Sequence, residues 1–237
     1  MMGLTRYGVR EWLGGAIAAI LLIAVIAAAA HLTRHNELLC LIPFILLVWL
    51  CVAAFFRDPD RTVPASPDTI VSPADGVVHD IQVLESFEYA SHFKNGQARR
   101  IGIFLSVLDV HLNRAPCPLT VREVVHKTGE FHDARDTRAS AENQSNSLIC
   151  AAAPEIGGFP LIVKQITGAI ARRIVCAVRA GETLERGQRF GMIKFGSRTE
   201  LYLPGEGIEI LSKVGDRVFA GTTIVARISN SCKENTG

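Results

Sequence analysis

Two stretches of 19 residues, Trp12–Ala30 and Leu38–Phe56, contain no charged residue. A helix rises 1.5 Å per residue, so each run reaches about 28 Å, close to the hydrocarbon thickness of a bilayer. Only the seven polar-loop residues His31–Glu37 lie between them. The runs therefore predict a transmembrane helical hairpin with both ends on one side. A cleaved signal peptide would account for Arg6, Arg10 and the Ala27–Ala30 run, but its apolar core is shorter and no second span follows at once. A buried hairpin of a soluble domain is the other alternative, and charge-free runs of this length are rare there. Arg6 and Arg10 precede the first span, Arg57 and Arg61 follow the second, and the loop holds Arg34 alone. That bias puts both termini in the cytoplasm. Trp12 and Trp49 suit interfacial anchoring.

Beyond the hairpin the charge is nearly balanced. The chain has 25 Lys and Arg against 23 Asp and Glu, a formal net charge of +2. Such balance excludes a broad nucleic-acid footprint. It also leaves the hairpin, not electrostatics, to hold the domain on a membrane. The six cysteines (Cys40, Cys51, Cys117, Cys150, Cys176 and Cys232) show neither C-x-x-C nor zinc spacing. They read as thiols in a reducing compartment, with no disulfide framework and no metal site.

After the hairpin, Phe56–Pro67 is a proline-rich exit segment, and short apolar runs follow between Gly, Pro and Asp. Gly76–Val83, Ile101–Val107, Leu161–Ile166, Ile174–Val178, Phe190–Phe195, Glu200–Leu203, Ile208–Leu211 and Thr222–Ile228 are the strand candidates. Helical periodicity is confined to a turn or two near Ala139–Asn146. The expected fold is mainly β, barrel-sandwich-like and α+β at most, over residues 57–237 behind a membrane hairpin of residues 1–56.

Three segments carry possible chemistry. Ser72-Pro-Ala-Asp75-Gly could be a plain turn into a strand. In Asp109-Val-His111-Leu-Asn-Arg-Ala-Pro, the histidine could be structural. Gly196-Ser197, between two strand candidates, could be a tight turn. Taken in this order behind a hairpin, and with Phe55-Phe-Arg-Asp-Pro, Ala141-Glu-Asn and Phe195-Gly-Ser-Arg-Thr-Glu-Leu-Tyr-Leu-Pro, they resemble the short, membrane-anchored phosphatidylserine decarboxylase proenzymes. The likeness runs from about Phe55 to Ile228.

The resemblance implies that the Gly196–Ser197 bond cuts itself. Ser197 Oγ would attack the Gly196 carbonyl, with His111 as base and Asp75 as its orienting acid, in the manner of a Ser-His-Asp triad. Gly196 has no Cβ to obstruct the approach. Elimination and hydrolysis would leave a pyruvoyl group at position 197, the covalent cofactor, with chains 1–196 and 197–237 as a heterodimer or part of a higher oligomer. A Schiff base on that group would let it accept electrons as CO2 leaves phosphatidylserine, His111 would protonate the product, and phosphatidylethanolamine would be released. The implied location is the inner membrane, with the catalytic domain on the cytoplasmic face. Longer relatives carry two histidines around position 111, whereas this chain has one, with Arg114 near the second position. His79 and His126 are available, and Arg114 and Arg198 could each pair with a phosphate or carboxylate. Gln144-Ser145 stands where the family often has a charged pair.

Three rivals compete. Lys194 and the Lys213–Ile228 segment resemble a biotinyl or lipoyl carrier, a fold-level likeness. A membrane-anchored adaptor would need the domain outside the cytoplasm and a long helical hairpin in it. A pyruvoyl decarboxylase of a soluble amino acid would have no use for two spans.

Overall fold

The computed structural model describes residues 2–136, 138–169, 173–194 and 196–229. Phe195 and Cys232, both singled out in the sequence, lie outside the described residues. The chain divides into two compact units, Met1–Asp60 and Arg61–Gly237.

In the first unit, strand β1 (Met2–Leu4) leads through a short 3-10 turn into helix α1 (Val9–Thr33), and a second 3-10 turn (Asn36–Cys40) precedes α2 (Leu41–Phe55). Strand β2 (Arg57–Pro59) returns antiparallel to β1, pairing Gly3 with Asp58, so both ends of the hairpin meet. Pro43 is tolerated because it sits in the first turn of α2, where its missing N–H has no intrahelical partner. Gly8 admits the Phe56 ring; a Cβ there would lie 2.0 Å from it. The Trp49 indole donates to the Trp12 carbonyl at 3.2 Å, and the Trp12 indole to the Thr5 carbonyl at 3.1 Å, which fixes the helix pair at that end. Both helices are long and apolar enough to cross a membrane, and only 6% and 11% of their most apolar windows are buried. That exposure is opposite to the core helices of a soluble domain.

The second unit is built of strands: β3 (Thr69–Val71), β4 (Gly76–Leu84), β5 (Ala98–Leu105), β6 (Leu112–Arg114), β7 (Leu119–Lys127), β8 (Ser145–Ala152), β9 (Pro160–Thr167) and β10 (Arg173–Cys176), then β11 (Thr183–Leu184), β12 (Arg189–Lys194), β13 (Ser197–Pro204), β14 (Ile208–Ile210), β15 (Arg217–Val218) and β16 (Ile224–Ile228). A one-turn helix, α3 (Ala139–Glu142), precedes β8. Eight strands form one antiparallel sheet, in the order β11-β7-β8-β9-β13-β5-β4-β15, that curls into a half-barrel. Two three-stranded sheets, β10-β12-β6 and β14-β16-β3, accompany it. Ile101, Ile103, Leu105, Leu161, Leu201 and Phe190 belong to the core between them.

The mainly β expectation holds, and all eight strand candidates correspond to strands. Two long strands, β7 and β8, were not expected. In β7 a bulge between Val121 and Glu123 breaks the alternation. β8 opens with Ser145-Asn-Ser, polar residues that read as loop but are buried, with the Asn146 amide donating to Gln165 Oε1 at 2.9 Å. Only Ala139–Glu142 of the expected helical turn is helical.

Candidate active site

Ser197 is the first residue of β13, a central strand, paired with Leu105 of β5 on one side and Thr167 of β9 on the other. A serine inside a sheet normally finds a partner for its hydroxyl. Ser197 does not: its Oγ is fully buried and, among the described residues, has no hydrogen-bond partner. The preceding Gly196 has φ +63, a left-handed conformation that glycine adopts without a Cβ penalty. Its carbonyl packs against Gly168, where a Cβ would come within 2.6 Å of the Gly196 oxygen. Nothing local marks Gly168 for this contact, because it depends on the approach of two turns distant in the chain.

His111 immediately precedes β6 and is fully buried. Its Nδ1 lies 2.9 Å from the Asp109 carbonyl oxygen, and its Nε2 accepts the Gly196 N–H at 3.3 Å. A carbonyl only accepts, so Nδ1 carries the ring proton and Nε2 the lone pair. The imidazole therefore presents its lone-pair nitrogen to the backbone N–H of Gly196, the residue before Ser197. Asp109 makes this possible through its own lock: Oδ2 accepts the Ser106 N–H (2.8 Å) and hydroxyl (2.7 Å), and Oδ1 pairs with Arg217.

Asp75 is held differently. Its Oδ1 accepts the Ala220 N–H at 2.8 Å, and its Oδ2 pairs with Arg61 at 2.7 Å. Burial raises its pKa above the usual carboxylate value; Ala220 and Arg61 oppose the rise, and the charge of Asp109 adds to it. Among the described residues no hydrogen bond joins Asp75 to His111; Nδ1 of the imidazole is held instead by the Asp109 carbonyl. Asp75 instead pins the 72–75 loop, and Gly76 next to it must be glycine, since φ is +147 and a Cβ would lie 2.1 Å from the Phe104 oxygen.

The other candidates fall outside the reacting atoms. His79 is half-exposed beside Asp80, and His126 is exposed on β7. Arg114 is buried and donates to the Gly187 carbonyl at 3.1 Å. Arg198 is buried too, with Nε on Glu200 at 2.7 Å and Nη2 on Asp80 at 2.5 Å. Glu200 also receives the Tyr202 hydroxyl (2.6 Å), the Ser140 hydroxyl (3.0 Å) and Arg100 (3.5 Å). On a strand, Arg198, Glu200 and Tyr202 alternate like a solvent face. Here that face is covered, and Tyr89, Phe93 and Tyr202 share a second apolar cluster. Lys194, which a biotinyl carrier would need at an exposed turn, is buried on β12.

A cleft of about 170 Å³ opens beside the Gly196 carbonyl, walled by Phe104–Val107, by Asp133–Arg135 and by Gly168-Ala169. It is smaller than sites for drug-sized ligands, about 300–1,000 Å³.

A buried serine hydroxyl thus follows a glycine whose N–H is held by a buried imidazole and whose carbonyl lies against a second glycine, and the sequence comparisons can be set beside that arrangement. The phosphatidylserine decarboxylase profile matches residues 49–226. The chain belongs to the phosphatidylserine decarboxylase family. It is 45% identical over 184 residues to the phosphatidylserine decarboxylase proenzyme of Carboxydothermus hydrogenoformans, covering 78% of this chain and 83% of that one. It is 46% identical over 187 residues to that of Rhodopirellula baltica, covering 78% and 75%. With the proenzyme of Geobacter sp. strain M21 the match is 38% over 215 residues and covers 90% and 92%. Membership of the phosphatidylserine decarboxylase family makes this chain an enzyme, a decarboxylase of the proenzyme type.

Proposed function

We propose that this chain converts phosphatidylserine to phosphatidylethanolamine and CO2, using a pyruvoyl group made from Ser197 by self-cleavage at Gly196–Ser197. The observation that carries the proposal is the buried Ser197 Oγ, which has no hydrogen-bond partner among the described residues and follows Gly196, whose N–H is held by the lone pair of His111 Nε2. An orphaned buried hydroxyl is costly and persists where it has a chemical task, so the residues present fit the group.

The processing chemistry needs the chain's own groups and one water. Ser197 Oγ adds to the Gly196 carbonyl carbon and its proton passes to Nε2 of His111. The peptide C–N bond then breaks, leaving an ester and a free amine on residue 197. For this, the Ser197 hydroxyl has to replace the Gly196 N–H on Nε2. Loss of the residue 197 α-proton expels Gly196 as a carboxylate and leaves dehydroalanine. Water then hydrolyses its imine tautomer, releasing ammonia and leaving the ketone. β13 stays seated after the break because it bonds to β5 and β9 on both sides. The products are 1–196 and 197–237, held as a heterodimer.

When present, the pyruvoyl group supplies a conjugated carbonyl that accepts the electron pair released with CO2. His111 Nε2 can hold a proton beside that position and deliver it to the carbon that lost CO2. Arg198 keeps residue 197 in register from the opposite face. The two apolar helices favour a lipid over a soluble amino acid as substrate, and the Lys/Arg bias favours the cytoplasmic face of the inner membrane.

Intact-mass measurement of the full chain tests this. The wild type should give a fragment ending at Gly196 and a blocked, carbonyl-reactive 197–237 partner, and Ser197→Ala should stay whole. An uncut wild-type chain without turnover of phosphatidylserine would refute the proposal. A biotin blot separates the carrier reading.

A further inference from the structure

The loop Ser106–Asp109 combines two properties that seldom occur together. Its base is rigid: Asp109 accepts both the backbone N–H and the hydroxyl of Ser106, the Asp109 N–H returns to the Ser106 carbonyl at 2.9 Å, and Arg217 closes the ring. Its tip is apolar and projects outward, with Val107 47% and Leu108 81% exposed. No other exposed large apolar side chain among the described residues exceeds Leu108. Ser106 and Val107 wall the cleft beside Gly196, and immediately after the tip the Asp109 carbonyl orients His111. The loop therefore joins solvent to the reacting bond in one short piece.

The surroundings complete the pattern. Arg217 leans on the half-exposed Phe219 ring at 5.9 Å, and Arg61 lies over the same ring at 5.4 Å. Aliphatic side chains at a tip, with an aromatic ring and arginines at its shoulder, match the layering of a bilayer interface, where apolar groups reach the acyl boundary and guanidinium groups stay at headgroup depth. A protein partner is a poor match. Such interfaces need about 800 Å² on each side, far more than two side chains supply.

We propose that Val107 and Leu108 insert into the bilayer and seat the cleft mouth against the lipid surface, so that a headgroup enters while its acyl chains stay behind. This deepens the decarboxylase reading and rests on it for the identity of the lipid, though not for the insertion itself.

The chain has two tryptophans, Trp12 and Trp49. In a full-length Trp12→Phe/Trp49→Phe background, Leu108→Trp reports the loop alone. Val83→Trp, at the far end of the β4–β5 hairpin, is the control, since Val83 is also exposed. In phosphatidylcholine–phosphatidylglycerol vesicles with lipids brominated on the acyl chains, the tryptophan at 108 should be quenched and that at 83 should not. Equal quenching, or none at 108, would overturn the proposal. Leu108→Glu should process normally and lose about tenfold to a hundredfold of its activity on long-chain phosphatidylserine in vesicles, the factor by which burying one leucine shifts a partition. Its activity on dispersed short-chain phosphatidylserine should stay within about twofold, because no insertion is then required. Equal loss on both substrates would overturn the proposal. Quenching at 108 without turnover of either lipid by the wild type would sink the substrate reading and leave the docking intact.

Discussion

Replacing His111 by glutamine tests the site most directly. Glutamine keeps an N–H for the Asp109 carbonyl but has no basic nitrogen to take the Ser197 proton in the proposed cleavage. Removing a positioned general base costs a factor of about 10² to 10⁴ in rate, or roughly 3–5 kcal/mol at 1.36 kcal/mol per decade. The structural cost should be smaller. The site is fully buried, but the contact to Asp109 can be remade, which leaves a typical core-substitution loss of about 1–2 kcal/mol. For a unit of this size that is a fall of roughly 2–8 °C in melting temperature. The assay is a time course of the 197–237 fragment in cell-free synthesis, with melting of the same protein in nanodiscs. Slow cutting in a folded chain supports His111 as the base. Cutting within about threefold of wild type would refute the reasoning, because no general base contributes so little. So would a collapse in melting temperature large enough to account for the loss.

Glu200→Gln leaves the Arg198 and Arg100 guanidiniums to share Asp80 alone; breaking a buried pair costs about 3–5 kcal/mol, so the melting temperature should fall by roughly 6–20 °C, and a fall under about 2 °C would contradict the network. Gly168→Ala puts a Cβ 2.6 Å from the Gly196 oxygen, so self-cleavage should slow while the sheet still forms, read as fragment yield against circular dichroism. Burial pushes the Asp80 pKa upward, but Arg198 and Arg100 together hold it below the usual 3.8. Its contribution is therefore present above the unfolded value and is lost as pH falls through the lowered one. Acid titration of wild type against Asp80→Asn should show the difference in melting temperature shrinking below about pH 4, the unfolded aspartate range. A difference independent of pH would refute that assignment.

The sequence alone determined the two apolar spans and the β class of the remainder, and its resemblance to a known family nominated the Gly196–Ser197 bond. These rest on local quantities: an unbroken apolar run, alternation between turn residues, and a short motif in a fixed order. Tertiary structure decided the partners. The group that orients His111 is the Asp109 backbone carbonyl, which is the same atom in every residue type and so leaves no mark in a sequence. Asp75, the acid expected in that role, is turned toward Arg61 and the Ala220 N–H. Arg198 and Glu200 alternate as surface residues would, and only the packing of the Tyr89–Phe93 segment and of Ser140 against β13 makes them interior. Ser145–Ser147 read as loop because polarity usually means exposure; a buried partner, Gln165 from β9, reverses that for Asn146. Local composition sets which segments leave water, whereas the pairing of buried polar atoms is settled only when distant strands meet.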